Sequence, residues 1–503
     1  MKKKRERSKE KTPRITGIGI TNDTLTSRGG LSLFVRYLAS IGIMSSIRRL
    51  FGGIRKSGKG TCVEELFKQV LCNFVDGTSR HLVHFDRVKE DGGYAGTIEC
   101  RAEEMVSSHG VKRFFNGFSW PRIWLFRRLL QALFMWRVNL KKPDVIELHI
   151  DTMVMDNDEA EVRHGVEPTY KKVEGFQPLQ MTWGRFVVDA VFRGGSKHSN
   201  HGDTVEKMVR HIVEKIRTKY RSNVPIIIKM DSGFFDQKLF EVFEELRIGY
   251  VVSGKLYDDI KDYTAMVDGA TWKHYRNKVQ VWDYVEFMDR RGSWTKARRA
   301  IYCRPWYEDS QMLLDFARPD TILYTNLGMG ETIDELLTNA GRNDLVGAEK
   351  VIECAHSRGR DELVHRAFKD FGHEELPFKR FAPNTAYYYT MELAFFLFET
   401  FKEDVCSAVI PITAYATTVR RKLIDIDTKI VKKAGKIILK GTSATWNSLK
   451  FNVLWKKSDH PLSSSVRNTK KQDTILFRGE GTPKTARNNK ISNGKIDFIF
   501  YIF

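Results

Sequence analysis

The run VPIIIKMDSGFF, residues 224–235, limits the fold of this chain more than any other stretch. Three consecutive isoleucines disfavour a helix and suit a strand. They do not alternate with polar residues, so such a strand is covered on both faces. It belongs in the middle of a sheet with helices packed on either side. The apolar run stops at Asp231, which Ser232 and Gly233 follow. An Asp before Ser-Gly caps the turn or helix that comes next. The same Asp is also a carboxylate held on a rigid strand tip. Both readings stand at this point.

The flanking pattern supplies the rest of the sheet. DVIELHIDTMVM, residues 144–155, is strand-like and carries Asp151 near its end. FQPLQMTW and RFVVDAVFRGG read as two more strands, joined by a Gly184-Arg185 turn. A helix is expected over 203–220, capped by Asp203 or Thr204, then one over 235–247, then a strand at 249–255. Three strands, helix, strand, helix, strand imply a mixed sheet with helices on its faces. Residues 256–345 alternate, contain a DRRGS hairpin signal, and read as a β-rich insertion. Helical pattern returns at 331–371 and 384–402, so residues 346–417 read as the second part of the core.

Before the sheet, residues 1–30 read as a flexible basic arm and 31–140 as a helical domain. RIWLFRRLLQALFMWRV sets Arg127 and Arg128 among apolar positions, and Lys112 and Arg113 lie nearby. These helices either bury their apolar faces in a bundle or also turn those four cations toward DNA. Residues 418–503 read as a basic, partly disordered C-terminal region. Residues 420–503 hold 19 Lys and Arg against 6 acids, which is +13 of the net +21.

That net charge, with 83 basic and 62 acidic side chains in 503 residues, favours a polyanionic partner, nucleic acid first. An anionic membrane is the competing partner. No lipidation signal, basic amphipathic helix or apolar run of about 18 residues supports it, so no membrane is expected. The opening MKKKRERSKEKT has no apolar segment behind it and does not read as a secretory signal. The six cysteines, at 62, 72, 100, 303, 354 and 406, form no CxxC pair. They read as reduced residues of a cytoplasmic protein, neither a disulfide framework nor a zinc site.

Acids supply the chemistry. In the expected strand order, the strands ending in Asp151 and Asp231 lie side by side at the centre of the sheet. A third acid is expected from a helix that crosses the sheet, and Glu362 in CAHSRGRDELVHRAFKDFG is the candidate. Arg358, Glu362 and Lys369 share one helix face. Converging carboxylates are unfavourable unless cations neutralise them. Hard oxygen ligands suit Mg²⁺ or Mn²⁺, and a pair of such ions serves phosphodiester chemistry. Arg358 and Lys369 would then hold phosphates.

With those residues in place, the chain resembles the DDE-type insertion-sequence transposases. It is similar to the branch with a Tyr-(2)-Arg-(3)-Glu-(6)-Lys signature and a β-strand insertion domain. Arg358, Glu362 and Lys369 have the required three and six intervening residues, whereas the tyrosine position holds Ala355, with His356 beside it. HIDTMVM resembles the first-Asp strand of that family. EGFQPLQMTWGRFVVDAVFRGGSKHSN resembles its Gly-aromatic-x-Pro stretch and hairpin, and KMDSGFFDQKLFEVFEELRIGYVV its second-Asp block. Between Asp151 and Asp231 lie 79 residues, and between Asp231 and Glu362 lie 130, room for the insertion.

The resemblance implies an α/β fold: an RNase H-like mixed-sheet catalytic core over 144–255 and 346–417. The β-rich insertion and a helical, DNA-end-binding N-terminal domain complete it. It implies a DNA transposase that cleaves at terminal inverted repeats and transfers 3′-OH ends to target DNA. Asp151, Asp231 and Glu362 would be the catalytic ligands of two Mg²⁺ ions, Mn²⁺ being an alternative. Arg358, Lys369 and His356 would contact double-stranded DNA. Trp272, Trp282, Trp294 and Trp306 either stack on a flipped base or fill the insertion's core. A homodimer in a synaptic complex is implied. A nuclease on the same core and an inactive DNA-binding remnant are the rival readings.

Overall fold

The chain enters its sheet from a helical N-terminal part, and the last helix of that part explains the entry. Trp120–Lys141 (α1) starts with proline at its second position, which suits a first helical turn. In the computed structural model, residues 15–55, 60–160, 162–276, 281–306, 320–356 and 358–461 are described, without the side chains at 160, 306 and 358–362. Residues 1–14 of the expected basic arm and the tail beyond 461 lie outside the described residues. Along α1, Phe126, Leu130, Leu133 and Phe134 are buried. Arg127 does not face outward as a DNA contact. Its guanidinium donates to both oxygens of Asp189 at 2.8 and 2.6 Å, and Asp189 is fully buried. The apolar face took Arg127 inward, and a buried carboxylate took its charge.

Ile146–Thr152 (β1) buries Ile146, Leu148 and Ile150 on one face and sets Glu147, His149 and Asp151 on the other. Leu179–Trp183 (β2) pairs antiparallel with β1, and Phe186–Val191 (β3) pairs antiparallel with β2. The turn between β2 and β3 falls at Gly184, in the left-handed region at φ +57°. Thr204–Lys219 (α2) crosses to Ile226–Met230 (β4), which lies parallel to β1. Gln237–Glu245 (α3) then leads to Gly249–Ser253 (β5), parallel to β4. All five residues of β4 are buried, as the isoleucine run requires. The order β3-β2-β1-β4-β5, with β2 reversed against the four other, mutually parallel strands, is the RNase H-like arrangement.

The β-rich stretch continues the same sheet. Lys273–Arg276 (β6), Val281–Asp289 (β7), Arg298–Trp306 (β8) and Thr321–Thr325 (β9) form an antiparallel series. Strand β9 pairs with β5 through Tyr324↔Val252, so nine strands run from β6 to β3. Ala348–His356 (α4) covers one face, where Val351 and Ile352 pack with Ile227, Val251, Ile301 and Leu323. Arg358–Phe371 (α5) follows it. Phe381–Asp404 (α6) is buried from Pro383 to Lys402, so it reads apolar all round and not on one stripe. Thr428–Lys433 (β10) and Lys436–Lys440 (β11) form a separate hairpin, edged by the short strand Thr24–Thr26. Among the described residues no single helix is long and apolar enough to cross a membrane.

Candidate active site

Strand register places the first two acids. Parallel pairing of β1 and β4 ends at Ile150↔Met230, so Asp151 and Asp231 occupy the next positions of adjacent strands. Neighbouring strands lie about 4.8 Å apart. The carboxylates thus stand at the same end of the two central strands. Each is fixed by backbone. Asp151 Oδ1 accepts from the Thr152 N–H at 2.7 Å, and Asp231 Oδ1 accepts from the Gly233 N–H at 2.8 Å. Asp231 therefore does cap a turn, the 3₁₀ segment Ser232–Phe234. Capping and a strand-tip role coexist, because a carboxylate accepts through two oxygens.

The loop after β3 closes over this end. Thr152 Oγ1 and Ser199 Oγ are 3.5 Å apart. A Cβ on Gly233 would come within 2.8 Å of Ser199 Oγ and 3.0 Å of Asp231 Oδ1, so a larger residue there would push both side chains aside. Buried Arg193 anchors the loop by donating to the carbonyls of Gln177 at 3.1 Å and Ser199 at 3.3 Å. Burial holds its guanidinium down at about 10.

Helix α5 brings His365 to the first acid, with Nδ1 3.7 Å from Asp151 Oδ2. Burial pushes the His365 imidazole down to about 4, and Lys369 and Lys171 add to that. At neutral pH the ring is uncharged, so this contact is not an ion pair. Glu362 precedes His365 by three residues in the same helix. The side chains of Glu362 and Arg358 lie outside the described ones. Among the described residues, no group of three or more His, Cys, Asp and Glu is placed to hold a metal ion. The described part supplies two hard oxygen donors at adjoining strand ends, which is Mg²⁺-type donor chemistry.

The remaining candidates have protein partners. Lys369 Nζ donates to Glu374 at 2.6 Å. His356 stacks on Trp282 of β7 with centroids 4.2 Å apart, and neither ring nitrogen has a hydrogen-bond partner. Burial pushes that imidazole down to about 4. Trp282 and Trp294 are buried, and the Arg304 guanidinium lies 3.8 Å over Trp272, so these three rings pack within the protein. The Trp306 side chain lies outside the described ones. Sequence reasoning missed His365 and Ser199. His365 was within reach, because it sits one turn after Glu362 in a helix already assigned to the site. Ser199 had no signal, since its approach depends on how the loop folds back.

The family model for the transposase DDE domain, group 1, matches residues 13–454. The chain belongs to that family. It is a DNA transposase. No curated protein matches it. Among solved structures, a cryo-EM structure of the piggyBac transposase synaptic complex with hairpin DNA aligns over 90% of this chain and 91% of that one. Identity is 13% and the TM-score is 0.34.

Proposed function

We propose that this transposase cleaves DNA at the ends of a mobile element and joins the freed 3′-OH ends to target DNA. Asp151, Asp231 and Glu362 serve it as one divalent-ion site. The observation that carries this is the register of β1 and β4, which sets two carboxylates at neighbouring strand ends, with His365 bringing the helix that bears the third against Asp151. Bound there, two Mg²⁺ or Mn²⁺ ions would supply Lewis-acid activation of a water or 3′-hydroxyl and stabilise the leaving oxygen.

The chain's own part is positional. Two central strands hold Asp151 and Asp231, and the Thr152 and Gly233 amides orient the carboxylates. Neutral His365 adds no competing charge at Asp151. Arg358 and Lys369 take phosphates, and Lys369 exchanges Glu374 for one when DNA arrives. The helical region 31–140 recognises the element's ends, and two copies act together on paired ends.

Asp231→Asn keeps the shape and the cap acceptor but removes an anionic ligand. End cleavage in Mg²⁺ should fall by at least about a hundredfold, while binding to the same duplex stays within about twofold. Near-normal cleavage by this variant refutes the assignment. Wild-type protein that hydrolyses pre-cleaved ends but never joins them to target DNA supports a nuclease instead.

A further inference from the structure

Strands β10 and β11 carry five lysines and no acid within residues 428–440. Ala434 and Gly435 join them with φ +48° and +73°, the two-residue turn that keeps a hairpin tightly twisted. Register puts Lys429 opposite Lys440, Val431 opposite Ile438, and Lys433 opposite Lys436. These six side chains share one face. The opposite face turns inward at the base of the hairpin, where Ile430 packs so closely on Gly96 that a Cβ there would come within 2.5 Å of its Cδ1, while Lys432 and Ile437 nearer the turn are exposed.

On the lysine face Lys433, Lys436 and Lys440 are exposed. Like charges directly opposite each other destabilise a strand pair. Here two such pairs occur on one ribbon. Asp23 meets Lys429 at 2.7 Å, but among the described residues no carboxylate pairs with Lys433, Lys436 or Lys440.

We propose that this face is a second DNA contact, seated on the phosphates of duplex DNA and built on a different sheet from the one that bears the carboxylates. The inference rests on the reading above that the partner is DNA. Charge complementarity selects that occupant, because phosphates relieve the repulsion the ribbon carries. Spacing fits as well. The two lysine pairs are four residues apart, about 13 Å along a strand, and a major groove is about 12 Å wide. One pair meets each phosphate rim, with Val431 and Ile438 between them. The contact reads no sequence.

The test uses the full chain and a short random-sequence duplex, with affinity measured against salt. The triple variant Lys433→Gln, Lys436→Gln, Lys440→Gln should lower the slope of log affinity on log salt by about 2 to 3. A control that removes three exposed lysines elsewhere, Lys142→Gln, Lys219→Gln, Lys255→Gln, should lower it by less than about 1. Equal changes overturn the inference and leave the transposase reading intact. Wild-type protein that binds no duplex at all sinks both.

Lys433→Glu supplies a second readout, because it sets opposite charges across the ribbon. Its Tm should rise while DNA affinity falls. A lower Tm together with lower affinity ascribes the loss to damage of the fold and overturns the inference.

Discussion

Asp231 holds a turn and stands at a strand tip with a single carboxylate, and Glu392 shows what burial does to another acid. Glu392 on α6 is fully buried beside Tyr388 and Gln180, and its carboxylate region meets the Gln180 amide. Gln180 sits directly across β2 from Asp151. Burial pushes the Glu392 carboxyl up to about 8. The folded carboxyl keeps its proton where the unfolded one, near 4.5, has lost it. Stability from this group is thus lost as pH rises from about 4.5 to about 8.

Between neutral pH and about 8 that loss amounts to about 1 kcal/mol. Glu392→Gln should abolish it, measured as the difference in denaturant unfolding free energy between the two pH values. An unchanged difference means Glu392 is ionised in the folded protein. None of this was legible in the sequence, where Glu392 sits in an aromatic run with no local partner. Asp231 was legible because strand end and turn signal are neighbours in the chain.

Among the elements, α1 is tied to β3 by the Arg127–Asp189 pair. Sequence pattern located the helix but not the pair, since the partner is contributed by a distant strand edge and helical periodicity is silent about it. Arg127→Met should cost about 3–5 kcal/mol, because it strands a buried charge. Adding Asp189→Leu should recover much of that loss in urea unfolding. A single-variant cost below about 1 kcal/mol would show that water reaches Asp189. His356 fails to be legible for a similar reason. Its place in the signature suggested a DNA contact, whereas the ring, at the end of α4, stacks on Trp282 of β7.

At the scale of the molecule, the strand order of the central sheet was readable. Each step there is local: a hairpin at Gly184, then crossovers through α2 and α3. The extension to nine strands was not, because β9 and β5 meet across the whole β-rich stretch. The proposed carboxylate site inherits both origins. Asp151 and Asp231 follow from strand order, and Glu362 from helix spacing and resemblance.

The direct measurement is Mn²⁺ bound to the protein–DNA complex, read by electron paramagnetic resonance for wild type, Asp151→Asn, Asp231→Asn and Glu362→Gln. Each single variant should weaken Mn²⁺ binding by at least about tenfold while DNA stays bound. Wild-type-like Mn²⁺ binding in the Glu362→Gln complex would contradict a single site built from all three acids.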